Sequence, residues 1–139
     1  MIALTNKSST RFKVKFAELT PVENGAWVVD LIKFGKGPLV ALIVHQDSLF
    51  TLVRMAAELK TMGDVEHEIA QVWSPFESVA IVRNGNRRVT GSITDMKHMS
   101  RIHYAHGDSL RDIENRLNDC PFSYIGMEHP RRRFHHLMK

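Results

Sequence analysis

Apolar and basic residues alternate strictly from Arg11 to Phe16, with Phe12, Val14 and Phe16 on one face and Arg11, Lys13 and Lys15 on the other. A period of two predicts a half-buried strand with a basic outer face. Pro21-Val22-Glu23-Asn24-Gly25 is dense in turn formers, and Trp27 to Phe34 predicts a second strand after it. Gly35-Lys36-Gly37-Pro38 makes a tight connection to Leu39–Val44, a continuous apolar run of strand length. Such a run fits an interior strand covered on both faces. His45-Gln46-Asp47-Ser48 breaks the run, and Leu49 to Val53 resumes it as a hairpin partner.

The period then changes. Ala56, Leu59 and Met62 recur at helical spacing, and Asp64 is placed to cap a second segment carrying Val65, Ile69 and Val72. Ser74-Pro75 ends that segment, because the residue before proline is pushed out of the helical region. Val79 to Val82 reads as a short strand before the turn Asn84-Gly85-Asn86. Ser92-Ile93-Thr94-Asp95 has the form of a capping box and predicts a helix that starts there and runs to about Tyr104. Asp108 or Ser109 caps a further helix with Leu110, Ile113 and Leu117 inward, closed by Cys120-Pro121. From Phe122 to Lys139, aromatics, Pro130 and arginines mix without a period. A sheet first and helices after it predict an α+β fold, an antiparallel sheet from the N-terminal half packed against three or four helices.

Length adds that 1–139 is one domain. No apolar run approaches the roughly 18 residues of a membrane span, and the first residues hold no stretch fit for a signal peptide. The single cysteine, Cys120, excludes an internal disulfide and a thiolate zinc cage, and suits a reducing, cytoplasmic setting. Charge is unevenly spread. Residues 1–128 balance acids against bases, so the formal net charge of +4 belongs to a basic tail, 129–139, which holds Arg131, Arg132, Arg133 and Lys139. Lys7, Arg11, Lys13 and Lys15 make a second basic stretch ahead of the first acid, Glu18.

Three groups of residues carry candidate chemistry. His98, His103 and His106 are the densest histidines, but on one helix His103 lies about 140° around the axis from His98, so the three do not converge on one metal. No metal or cofactor is expected. Asp95 stands three residues before His98 and is spaced to orient it as a general base; the competing reading is a surface pair. Arg87, Arg88, Gly91 and Ser92 put two arginines beside an expected helix start, an arrangement suited to a phosphate or carboxylate, although glycine and serine there are also ordinary capping chemistry. Arg131, Arg132 and Arg133, next to Phe134, form the mixture that contacts phosphate backbones and stacked bases; the plainer alternative is a solvated terminus. Cys120 has no histidine within four residues and reads as an inert thiol.

Ile2-Ala3-Leu4-Thr5-Asn6-Lys7, Trp27 followed by Leu39–Val44 and Ser48-Leu49-Phe50, and above all Arg88-Val89-Thr90-Gly91-Ser92-Ile93-Thr94-Asp95-Met96 with Leu117-Asn118 and Pro121 after it, resemble a family of short bacterial proteins classed as a domain of unknown function. The matches span most of the chain. The resemblance implies a fold and a bacterial origin but no reaction, and the chain departs from it in its basic tail and at Phe12-Lys13-Val14-Lys15, where the family starts a helix. The expectation is therefore a non-catalytic binding module for a nucleic-acid or protein partner, with a homodimer compatible. The alternative is a small enzyme, of hydrolase or phosphotransfer type, using Arg88, Ser92, Asp95 and His98. An enzyme needs those four groups to converge in one concavity.

Overall fold

The computed structural model describes residues 1–23, 27–73 and 80–138. Among the described residues, six strands and five helices follow one another as β1 (Ile2–Leu4), α1 (Asn6–Arg11), β2 (Pro21–Val22), β3 (Trp27–Lys33), β4 (Leu39–His45), β5 (Thr51–Met55), α2 (Met62–Val72), β6 (Ile81–Asn84), α3 (Arg87–Ala105), α4 (Leu110–Asn118) and α5 (Pro130–Met138). The strands form one sheet in the order β2-β6-β1-β3-β4-β5. The fold is α+β, as expected, and helices cover both faces of the sheet.

The sheet is mixed rather than antiparallel. The meander β3-β4-β5 pairs antiparallel, but β1 runs parallel to both β3 and β6, and β6 runs parallel to β2. Ile2, Ala3 and Leu4 are fully buried, so β1 is a central strand with no polar face. Three apolar residues are too few to show a period, which is why the first strand escapes a pattern search. The meander is where the pattern predicts it. Val40 to Val44 are completely buried, and Gly35 takes the left-handed conformation (φ +56°) in the β3–β4 turn, where a side chain would be strained.

The alternation over Arg11–Phe16 is not a strand. Thr5 caps α1 through a capping box with Ser8, whose hydroxyl accepts the Thr5 N–H at 2.9 Å, and the helix holds the chain to Arg11. Lys13 then turns through positive φ, and Phe16–Glu18 forms a 3-10 turn. Phe12 and Val14 still pack against the core, so the burial was periodic while the backbone was not extended.

α3 begins five residues before the expected serine. Asn86 is its cap, its Oδ1 accepting the Val89 N–H at 3.0 Å, and the helix runs on through Gly91. Ser92 is buried inside the helix and donates to its own Arg88 carbonyl, so the capping-box form at Ser92 is overridden by packing of Val89, Ile93 and Met96 against the sheet. Ser109 caps α4, and Thr61 caps α2, with Asp64 supplying the reciprocal bond to the Thr61 N–H. The Asn24-Gly25 turn, the Ser74-Pro75 stop and Val79 lie outside the described residues.

One core lies between the sheet and α3 with α4, around Val28, Ile32, Leu42, Ile93 and Ile113. The other joins the opposite face to α2 and α5, around Val29, Ile43, Leu52, Ile69 and Phe134. The free edge of β5 is closed by side chains of α4. Asn118 accepts the Thr51 N–H at 2.8 Å and donates to the Thr51 carbonyl at 2.9 Å, and Glu114 accepts the Val53 N–H at 2.8 Å. An open strand edge is a template for aggregation, and here it is satisfied within the chain. Arg54 ties the same edge to both helical layers, reaching Glu114 of α4 at 2.6 Å and Glu68 of α2 at 2.9 Å.

Candidate functional site

The basic tail is not a solvated terminus. It folds as α5, and Phe134 is 3% exposed, stacked on Phe50 with ring centroids 4.2 Å apart. An isolated nine-residue helix is marginal in water, so α5 depends on this docking. Docking separates three arginines that are consecutive in sequence. Arg131 turns to Asp119 at 2.9 Å and Asn115 at 3.1 Å, while Arg132 stands 3.8 Å from Glu128. Arg133 has no ion-pair partner among the described residues and lines a depression together with Arg88, Tyr124 and Leu137.

That depression is one of three that share lining residues. Arg88, Asp47 and Tyr124 also line a neighbouring concavity of about 480 Å³, which adds Gln46, Asn86 and Arg87. Asn86 and Arg87 in turn line a third of about 350 Å³, which reaches Arg83 and Phe16. The three depressions neighbour one another on the surface, and together their lining includes Arg83, Arg87, Arg88 and Arg133, with the acids Glu23 and Asp47; we refer to them as the groove. Two arginines lie over aromatic rings: Arg83 is 5.3 Å from the Phe16 centroid, and Arg88 is 5.2 Å from that of Tyr124.

The charge at the start of α3 runs against helix electrostatics. A helix N-terminus carries partial positive charge and favours acids, yet the first turn holds two arginines and no acid. Neither Arg87 nor Arg88 has an ion-pair partner among the described residues, and both are exposed. An anion in the groove would meet both guanidinium groups and the unbonded N–H groups of the first turn.

Of the sequence-predicted residues, Arg87, Arg88 and Arg133 come together. Gly91 is exposed on α3 in open space, and Ser92 is buried beneath it. Asp95 and His98 are exposed, with no hydrogen bond or ion pair between them among the described residues. Ten residues of helix separate Arg88 from His98, a rise of about 15 Å, so the four proposed catalytic groups do not share a concavity. His103 faces Asp108 at 3.7 Å. Among the described residues no group of histidines, cysteines and acids is arranged to hold a metal. Burial pushes the Cys120 thiol up, which leaves little thiolate. Sequence reasoning missed Arg83, Phe16, Gln46 and Tyr124, which lie far apart along the chain and carry no motif.

Comparison with protein-family profiles, curated proteins and solved structures yields no match to the chain. The reading of the groove therefore rests on its own geometry.

Beside the groove, the β4–β5 turn joins it to the docked tail. His45, 8% exposed, sits among Trp27, Trp73 and Phe134 at centroid distances of 4.9, 4.8 and 5.4 Å, with Nδ1 2.8 Å from the Ser48 hydroxyl. Burial lowers its pKa from 6.5 to about 4, against the opposing pull of Asp47. The unfolded chain therefore binds more protons in that interval. The stability tied to neutral His45 is fully present above pH 6.5 and is lost as the pH falls towards 4, reaching about 3 kcal/mol in the limit. Urea midpoints at pH 7.5 and 4.5 should differ more for the parent protein than for His45→Gln, and equal differences would show that other groups set the acid response.

Proposed function

We propose that the chain is a binding module that holds single-stranded nucleic acid along the arginine groove. The observation that supports this reading is the run of neighbouring depressions lined by Arg83, Arg87, Arg88 and Arg133 together with Phe16 and Tyr124. Arginines follow the phosphates, and aromatic or guanidinium planes offer stacking surfaces that any base can use. The groove draws on distant segments of the chain, so it exists only in the folded protein. The burial of Ser92 within α3, and the ten residues of helix from Arg88 to His98, weigh against the enzymatic alternative.

The test is fluorescence anisotropy with a labelled single-stranded oligonucleotide at several salt concentrations. Affinity should fall steeply with salt, and each phosphate contact removed should flatten the logarithmic slope by about 0.7. Arg88→Ala with Arg133→Ala should therefore lower the slope by about 1.4. Arg131→Ala, whose side chain is already engaged by Asp119 and Asn115, should leave it nearly unchanged. Equal slopes for the parent and the double variant would overturn the reading. Displacement of the oligonucleotide by polyglutamate at matched charge would point to an acidic protein partner in its place.

A further inference from the structure

Resting on that reading, we infer that α5 is a strap that opens and closes as a unit, with Phe134 as its latch, and that the Arg133 end of the groove exists only when it is closed. The contacts of α5 fall into two sets. One set travels with the helix: Arg132 and His136 both reach back to Glu128, at 3.8 and 3.5 Å. The other set crosses to the body of the fold, and it is small. His129 and Arg131 meet Asp119 at the near end, and the Phe134 ring enters its aromatic cage half-way along. Residues 135–138 beyond it are exposed. Among the described residues no backbone hydrogen bond joins α5 to the sheet or to another helix.

Opening therefore uncovers Pro130, Phe134 and the rings that Phe134 touches, and it breaks no strand pairing. That is a small part of the surface exposed by global unfolding, the condition for a segment to open on its own. The chain also has a place to turn. Gly126 and Met127 are successive left-handed residues, φ +68° and +63°, and the Met127 side chain is 60% exposed. A side chain in that conformation is strained, and a few such loop residues are enough to re-aim a helix. Turning there gives up the single bridge between Phe122 and Glu128 and keeps both Glu128 ion pairs intact.

Closure matters to the groove because it delivers Arg133. Arg133 and Leu137 line one depression together with Arg88 and Tyr124. A strand lying across Arg88 and Arg133 has both contacts in the closed form and only Arg88 in the open one. By linkage, the bound strand must hold α5 shut by the factor by which closure tightens its binding. Phe134, 3% exposed, is a positioning residue for the arginine beside it.

Amide exchange followed by NMR on the full chain, free and with an oligodeoxythymidylate of about ten nucleotides, tests this. The helical amides from Arg133 to Met138 should share one protection factor, at least about a hundredfold below that of Val40–Val44 in β4. Saturating oligonucleotide should raise the α5 value about fivefold or more, and Arg133→Ala, which leaves the latch in place, should abolish that rise. Phe134→Ala should bring the α5 amides to the rates of an unstructured peptide while Val40–Val44 stay protected, and Phe134→Leu should restore part of the protection. The parent protein alone already decides the matter if the alanine variant does not fold. Protection that climbs from Met138 inward to the β4 level at Arg133 would be fraying of the end, and would overturn the strap. A common α5 value that bound oligonucleotide does not raise would overturn its link to the groove. Failure of the oligonucleotide to bind would overturn the groove reading, while exchange in the free protein still judges the strap.

Discussion

Phe134→Ala is expected to destabilise the fold by about 3–5 kcal/mol, the range for deleting a buried phenylalanine ring. The ring sits in a cage of aromatics: it stacks on Phe50 and makes contacts with Trp27 at 5.8 Å, Trp73 at 5.3 Å and His45 at 5.4 Å. Those partners come from β3, from the end of β4 with the turn after it, and from the residue that follows α2, so one side chain closes three parts of the chain. Nothing else on α5 is buried as deeply apart from Pro130. Truncation after His129 should therefore lower the melting temperature as well as remove charge, and it should weaken oligonucleotide binding through loss of Arg133. Arg132→Ala, whose side chain is 72% exposed, serves as the control for charge alone and should leave stability nearly unchanged. If Phe134→Ala and the truncation both melt like the parent, the docking of α5 contributes nothing in solution.

The hydrophobic pattern was a good guide where burial and backbone share a period and a poor one where they do not. Leu39–Val44 is apolar throughout because β4 is covered on both faces, so pattern and strand coincide. Over Arg11–Phe16 the same alternation arises from a helix end, a left-handed Lys13 and a 3-10 turn, each placing an apolar side chain inward. Ser92 shows the limit of capping motifs. Its S-x-x-D form was satisfied in sequence, but the buried stripe of Val89, Ile93 and Met96 needs the helix to begin earlier, and Asn86 was available to cap it. For the groove, Arg87, Arg88 and Arg133 were legible as basic residues near a helix start and in the tail. That Arg131 and Arg132 would be drawn aside by Asp119 and Glu128 was not, because only the docking of Phe134 fixes which way each arginine turns. Gln46 was unremarkable in a polar turn until the fold buried it beside the groove.

Asp30→Ala should cost about 3–5 kcal/mol, because it strands the ammonium of Lys97 without its carboxylate. Asp30 lies on β3 between Val29 and Leu31 and is 7% exposed, on the face that otherwise presents Val28 and Ile32 to α3. Its Oδ2 meets Lys97 Nζ at 2.6 Å, and its Oδ1 accepts from the Thr5 hydroxyl at 2.6 Å and the Leu31 N–H at 2.9 Å. The carboxylate thus links the cap of α1, the central strand and α3. Burying an ion pair is costly in itself, so the loss comes from breaking it rather than from the pair being strong. This distinction is measurable. Asp30→Leu combined with Lys97→Met removes both charges, keeps the volume apolar and should recover most of the stability lost in Asp30→Ala. Asp30→Asn should fall between them, since the amide still offers an oxygen to Thr5 but no charge to Lys97. Denaturant midpoints of the three variants decide the matter: if Asp30→Ala costs under about 1 kcal/mol, Lys97 reaches water on its own, as long lysine stems can, and the pair is a surface contact rather than a tie through the core.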